Sequence, residues 1–360
     1  MTFLENLFDK VQRHPKRIVF PEGEDLRIIQ AASSFYEEKL GVPILLGNEK
    51  NIRELARRAR IRLDHVLVLN PATAQDLNLF AEKYSQLRHG LHIDDARKAM
   101  KNPVYFGTMM LREGSVDGFV AGVNTSAALI IRPLFQLIQL QDNFKTACSC
   151  SVVKIPENRF GDEGVLYFAD CNVIPNPSVE ELADIALAAA MLVKQIHGVR
   201  PRVALLSFSD KGSAKHAMTA KIAAAAALAR HHAEAAGIAA SIDGELHADT
   251  ALSLTVSELK NIKGPVAGKA NVLIFPDLHA ANISIKLLHE IAQTPVYGPI
   301  LCGLKKPASD LMRNATAEEI LVSAAIVALQ AIEYRRLYPL DNEHQVRPEF
   351  ALSRETTSWN

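Results

Sequence analysis

The chain has 360 residues, of which 48% are hydrophobic and 22% charged, with 40 basic residues against 40 acidic ones. That length exceeds one ordinary core and fits two domains of roughly 150 residues each. The charge balance excludes a global field for nucleic acid or a membrane surface, so any anion site has to be built locally.

Short apolar runs alternate with longer amphipathic stretches. Residues 17–21 read as a strand, 25–40 as a helix closed by Gly41, 43–47 as a strand, 51–59 as a helix and 65–71 as a third strand. Continuous apolar runs suit strands buried on both faces of a parallel sheet. The pattern restarts after about residue 145, which sets the expected domain boundary. Residues 165–170 form a strand, and Asn176-Pro177-Ser178 opens a helix with Ser178 and Glu181 spaced as a capping box. Strand 202–207 is followed by an alanine-rich helix over 215–236, stopped by Gly237. Strands at 271–275 and 299–301 precede a long helix over 317–338, and a polar tail, 341–360, is expected to be loosely held. Strand-helix-strand repetition in both halves predicts an α/β fold of two doubly wound domains, with mostly parallel sheets and a cleft between them.

Four cysteines, Cys148, Cys150, Cys171 and Cys302, make no disulfide framework in a chain this size. Cys148-Ser149-Cys150 lacks zinc-ligand spacing, so these read as buried reduced thiols. The histidines show no paired metal spacing, and His231 and His232, adjacent on a helix, diverge; no metal is assigned. The N-terminus does not read as a signal peptide and no apolar run of about 18 residues spans a bilayer, which makes the cytoplasm the default compartment. Ser207-Phe208-Ser209-Asp210-Lys211-Gly212-Ser213 is a polar turn at the carboxyl edge of a sheet, where ligands usually bind, though it lacks a phosphate-loop signature.

Eight segments in order carry a family resemblance. They include Val19-Phe20-Pro21-Glu22-Gly23-Glu24-Asp25-Leu26-Arg27, Tyr84-Ser85-Gln86-Leu87-Arg88, Ile131-Arg132-Pro133-Leu134, Phe168-Ala169-Asp170-Cys171-Asn172 and Asp310-Leu311-Met312-Arg313-Asn314. Over roughly residues 15 to 335 the chain resembles the phosphate acetyltransferase/phosphotransbutyrylase family. The resemblance implies reversible transfer of a short acyl group between coenzyme A and inorganic phosphate. Coenzyme A is then a substrate and no cofactor is needed. A homodimer is implied, as is a C-terminal helix that returns to the first domain, giving residues 1–145 plus 305–340 against 146–304.

By the same resemblance, Arg313 contacts phosphate, and a guanidinium fork suits that ligand. Arg88 and Arg132 contact phosphate or coenzyme A, with inter-domain salt bridges as the plainer alternative. Ser126, Ser207, Ser209 and Asn282 face the substrate. Glu319 aligns with the proposed thiol base, yet Thr316-Ala317-Glu318-Glu319 is equally a capping box. Glu319 is one methylene longer than the family's aspartate, Asn314 replaces a glycine, and three further positions depart from the family pattern. Met312 replaces a catalytic serine, Thr125 replaces a histidine, and Ala281 replaces a glycine. A thioether cannot donate a hydrogen bond, and losing one such donor costs about 10²–10³ in rate. Two readings follow: a working phosphate acyltransferase, or a weakened member that binds coenzyme A or acyl phosphate as a regulatory protein.

Overall fold

In the computed structural model, which describes residues 2–337, eleven strands form one sheet. The strands are β1 (Lys16–Phe20), β2 (Gly41–Leu46), β3 (Leu67–Leu69), β4 (Gly118–Ala121), β5 (Cys148–Lys154), β6 (Val165–Ala169), β7 (Arg202–Leu206), β8 (Ser241–Leu246), β9 (Val272–Ile274), β10 (Val296–Cys302) and β11 (Ala308–Asp310). Their order across the sheet is β3-β2-β1-β4-β11-β10-β5-β6-β9-β7-β8. The helices are α1 (Phe3–Gln12), α2 (Leu26–Glu37), α3 (Glu49–Arg58), α4 (Leu77–Leu87), α5 (Ile93–Met100), α6 (Pro103–Arg112), α7 (Ala127–Leu137), α8 (Val179–Ile196), α9 (Ala217–Ala235), α10 (Ala248–Leu252), α11 (Leu254–Leu259), α12 (Leu278–Ala292) and α13 (Ala317–Leu337).

The expected α/β class with mostly parallel pairing is what the chain adopts. Two parallel groups, β3-β2-β1-β4-β11 and β6-β9-β7-β8, are joined through the antiparallel pairs β11–β10, β10–β5 and β5–β6. The strands of both halves therefore belong to one continuous sheet. Its central strands are buried throughout, as their apolar runs require: β4, β6, β10 and β11 have no exposed residue. The strands expected from apolar runs are all present. Four others were not foreseen. β4 and β11 are short, β8 carries Asp243-Gly244-Glu245 through its middle, and β5 alternates cysteine with serine, so none offers a plain apolar run.

Helix starts follow local chemistry. Asp25, Asn48, Asn102 and Asp277 each accept a backbone N–H at the first turn of the helix they precede, and Ser178 with Glu181 forms the expected capping box. The last helix, α13, packs against α1, α2, β1, β4, β10 and α8. Gly118 in β4 is needed for that approach, because a Cβ there would sit 2.4 Å from Val327 Cγ1. Residue 338 of the expected helix and the 341–360 tail lie outside the described residues. Among the described residues no helix is long and apolar enough to cross a membrane.

Candidate functional site

The carboxyl ends of β4, β6 and β11 meet α7 and α12 near the antiparallel junction of the sheet. There they enclose a cleft of about 420 Å³. Chains leaving parallel strands on either side of such a junction diverge, which opens space beyond the strand ends.

One wall begins at Ala121, where β4 stops. The loop 122–125 turns around Glu22, whose carboxylate accepts the N–H groups of Gly122 (2.7 Å), Val123 (2.9 Å), Asn124 (2.8 Å) and Thr125 (2.7 Å). This is an anion nest, and the protein's own carboxylate fills it. These four N–H groups are therefore not open to another anion. Gly122 has φ +130, and a Cβ there would lie 2.5 Å from the backbone of Leu311 and 2.7 Å from Asp310 Oδ1. Only glycine lets β4 and the loop after β11 approach so closely.

Next to it, Asp25 and Arg27 hold the loop that carries Arg313. Arg27 donates to Asp25 through Nε (3.1 Å) and Nη2 (2.9 Å), and its Nη1 donates to the carbonyls of Arg313 (2.7 Å) and Ala315 (3.2 Å). Burial works against the Asp25 charge, but the hydrogen bonds and charge of Arg27 prevail and hold its carboxyl below the usual range. The Arg313 backbone is thus pinned. Its exposed side chain, with no ion pair or hydrogen bond to any described residue, lines the cleft beside Lys286 and Asn314.

The opposite wall comes from β5, the loop after β6 and α12. Buried Asp170 accepts N–H groups from Ser149 (3.0 Å), Asn172 (3.1 Å) and Ile174 (2.7 Å), together with the Ser149 hydroxyl. That wraps the 170–174 loop and turns Cys171 and Asn172 into the cleft. Burial raises the Asp170 carboxyl despite these bonds. On α12, Asn282, Ile285, Lys286 and Glu290 share the face toward the cleft, and Asn282 Nδ2 donates to the Cys171 carbonyl at 3.3 Å.

Asp310, at the end of β11, lies deep in this space. Its Oδ2 accepts from Asn172 Nδ2 at 2.5 Å. Burial, and to a lesser degree the nearby Glu22 charge, push its carboxyl up to about 7 although the Asn172 bond opposes this. Ser151 on β5 also lines the cleft. It is fully buried, and its hydroxyl has no hydrogen-bond partner by ordinary geometry; its polar neighbour is the sulfur of Cys171, a weak acceptor.

The sequence-expected residues divide. Asn282 and Arg313 line the cleft, as do Leu311 and Met312. Ser126 caps α7 without a side-chain bond and lies between two lining residues, Thr125 and Ala127. Arg88, at the end of α4, and Arg132, on α7, are exposed and both act electrostatically on Tyr84, but neither lines the cleft. Ser207 and Ser209 lie elsewhere, in the turn after β7. Ser209 is buried, donates to Glu245 Oε1 at 2.6 Å and accepts the Ala214 N–H, bonds that hold the turn together.

Glu319 lies in the first turn of α13. Both of its oxygens are engaged: Oε2 takes the N–H (2.8 Å) and hydroxyl (3.0 Å) of Thr316, and Oε1 takes the Val296 N–H (3.0 Å) and faces His289 Nε2 (3.3 Å). It is 5% exposed, does not line the cleft and makes the bonds of the capping box. Asp210, His247 and Asp249 bring metal-type donors together, yet Lys260 Nζ already lies 2.9 Å from Asp210 and 3.1 Å from Asp249. An ammonium serves as the cation there.

Sequence reasoning missed Glu22, Arg27, Ser151, Asn172 and Asp310. The signal for the first two was present in Pro21-Glu22-Gly23-Glu24-Asp25-Leu26-Arg27, four charges packed between a strand end and a helix start. Nothing local marks Ser151.

The fold and cleft define an α/β protein with a polar cleft, lined by Lys286 and Arg313, at the junction of its sheet. The Phosphate acetyl/butaryl transferase family pattern matches residues 2–328. The phosphate acetyltransferase of Acetivibrio thermocellus is 39% identical over 333 residues, covering 92% of this chain and 98% of that protein. That of Thermoanaerobacterium thermosaccharolyticum is 38% identical, covering 92% and 100%. Among solved structures, a phosphotransacetylase from Streptococcus pyogenes is 34% identical with a TM-score of 0.82, covering 92% of this chain and 100% of its own. EutD phosphotransacetylase from Staphylococcus aureus is 32% identical with a TM-score of 0.81, covering 91% and 98%. The chain belongs to the phosphate acetyl/butyryl transferase family.

Proposed function

We propose that this acyltransferase moves a short acyl group reversibly between coenzyme A and inorganic phosphate, in the cleft at the sheet junction. The observation that carries the reading is the free guanidinium of Arg313 on the same small cleft as the buried carboxyl of Asp310. Arg313, with Lys286, receives the phosphoryl end, where a planar fork bonds two oxygens. Asp310 accepts the thiol proton, since a carboxyl near 7 is poised as a general base at neutral pH. The sulfur then attacks the acyl carbonyl carbon, and the bond to the phosphate oxygen breaks with its electron pair leaving on phosphate. Asn282 and Ser126 contribute polar contacts at the cleft wall and rim. Arg88 and Arg132, outside the cleft of about 420 Å³, take the outer phosphates of coenzyme A.

The reading treats residues 1–145 plus 305–340 and 146–304 as two units closing on the substrate, and a cytoplasmic homodimer as the working form. The non-catalytic alternative rested on Met312 alone. The test is an assay of thioester formation from coenzyme A with acetyl, propionyl and butyryl phosphate in turn. Phosphate release matched by thioester with at least one of them supports the reading. Binding of coenzyme A without any thioester overturns it.

A further inference from the structure

We propose that Ser151 supplies the hydrogen bond to the acyl carbonyl oxygen that the family's serine supplies and Met312 cannot. The proposal rests on the acyl-transfer reading above and names a further residue for it.

Ser149 and Ser151 are two apart on β5 and so share one face of the strand. Both are fully buried. Their hydroxyls differ in what they do. Ser149 Oγ donates to Asp170 and accepts the Cys171 N–H at 3.1 Å, so it is spent on shaping the loop. Ser151 Oγ has no such partner. A buried hydroxyl whose one polar neighbour is the weakly accepting sulfur of Cys171 is under-satisfied, a cost that native structures meet with water or a ligand. The Cys171 thiol donates its own proton to the Phe168 carbonyl at 3.2 Å, which leaves its sulfur only as a weak acceptor. The Ser151 proton is therefore free to turn to a stronger one.

The position is the right one for this task. Ser151 lines the same cleft as Met312, Arg313 and Asp310. Met312 is half-buried against the apolar cluster beneath α12, so its side chain fills space and donates nothing. The donor lost from the loop after β11 is replaced by one from the strand facing it.

In the step itself the thiol proton passes to the Asp310 carboxylate and the carbon–sulfur bond forms. The carbonyl π pair moves onto oxygen, and the Ser151 hydroxyl donates to that oxyanion. Collapse restores the carbonyl and expels phosphate with the electrons of the carbon–oxygen bond. Ser151 forms no covalent bond and loses no proton. Its contribution is to the charge that develops in the transition state.

The experiment is Ser151→Ala in the full chain, assayed with acetyl phosphate and coenzyme A by thioester absorbance, with thermal unfolding alongside. Expected is a fall in kcat of about 10²–10³ with KM for acetyl phosphate little changed, the mark of a donor that acts in the transition state. The unfolding temperature stays level or rises, because the hydroxyl had no strong partner to lose. Met312→Ser introduced into Ser151→Ala should restore at least about tenfold of the lost rate, within the range for one donor. A Ser151→Ala enzyme with unchanged kcat overturns the proposal alone, as does a rate loss that tracks a fall in unfolding temperature, or a double variant with no recovery. A parent inactive on all three acyl phosphates overturns the acyl-transfer reading and this proposal with it.

Discussion

Replacing Glu319 with alanine separates its two possible roles, because they predict different observables. The carboxylate closes a capping box with Thr316, receiving its N–H at 2.8 Å while Thr316 Oγ1 receives the Glu319 N–H at 3.2 Å. Losing such a cap costs about 1 kcal/mol. Oε1 also receives the N–H of Val296, a residue 1% exposed, at 3.0 Å. Truncation leaves that donor buried and unpaired, for a further ~1–3 kcal/mol. Glu319→Ala should therefore be destabilised by about 2–4 kcal/mol. The assay is urea unfolding followed by fluorescence, read as the drop in midpoint at constant slope. Glu319→Gln keeps an acceptor oxygen and should lose less than half as much. If Glu319→Ala unfolded within about 1 kcal/mol of the parent while kcat collapsed, the side chain would be working in the chemistry and the cap argument would be wrong.

Two further outcomes follow from the cleft. Asp310, raised from 3.8 to about 7, holds a proton in the native state that the unfolded chain releases, so its stabilising contribution is present below about pH 4 and is lost as pH rises through 7. Asp310→Asn does not titrate. Its stability relative to the parent should climb between about pH 4 and 8 by up to about 4 kcal/mol, and a difference flat with pH would refute the assignment. Arg313→Ala should weaken inorganic phosphate binding roughly 10- to 150-fold by calorimetry, the equivalent of a charge-assisted bond worth about 1.5–3 kcal/mol; unchanged affinity would remove Arg313 from the phosphate site.

Much of the fold could be read ahead because its long elements obey local rules. β1, β2, β6 and β7 are apolar runs, α8 opens on a Ser178/Glu181 capping box, and α9 is alanine-rich and followed by Gly237. What was missed is what tertiary context alone decides. β5 opens on Cys148-Ser149-Cys150-Ser151, an alternation of small residues too weak to mark a strand by itself, and becomes one because β10 and β6 pair with it on either side. The joining of two expected sheets into one has the same origin.

At the site, Arg313 and Asn282 were legible because they sit in motifs. Asp310 was in the same motif, yet its raised carboxyl comes mainly from desolvation, which spacing does not report. Glu319 was ambiguous in sequence because a capping residue and a base are the same carboxylate, and its bond to the buried N–H of Val296, 23 residues away, is not visible in spacing. Ser151 depends on the absence of a partner, which can be seen only once every neighbour is placed.

The central claim is that this cleft performs acyl transfer despite methionine at position 312. The most direct measurement is the steady-state kcat of the unaltered chain for thioester formation from acetyl phosphate and coenzyme A at pH 8, above the Asp310 transition near 7. The account predicts ordinary enzymatic turnover, about 1–10³ s⁻¹. A chain that binds both substrates by calorimetry but turns over a hundredfold or more below that range would contradict it.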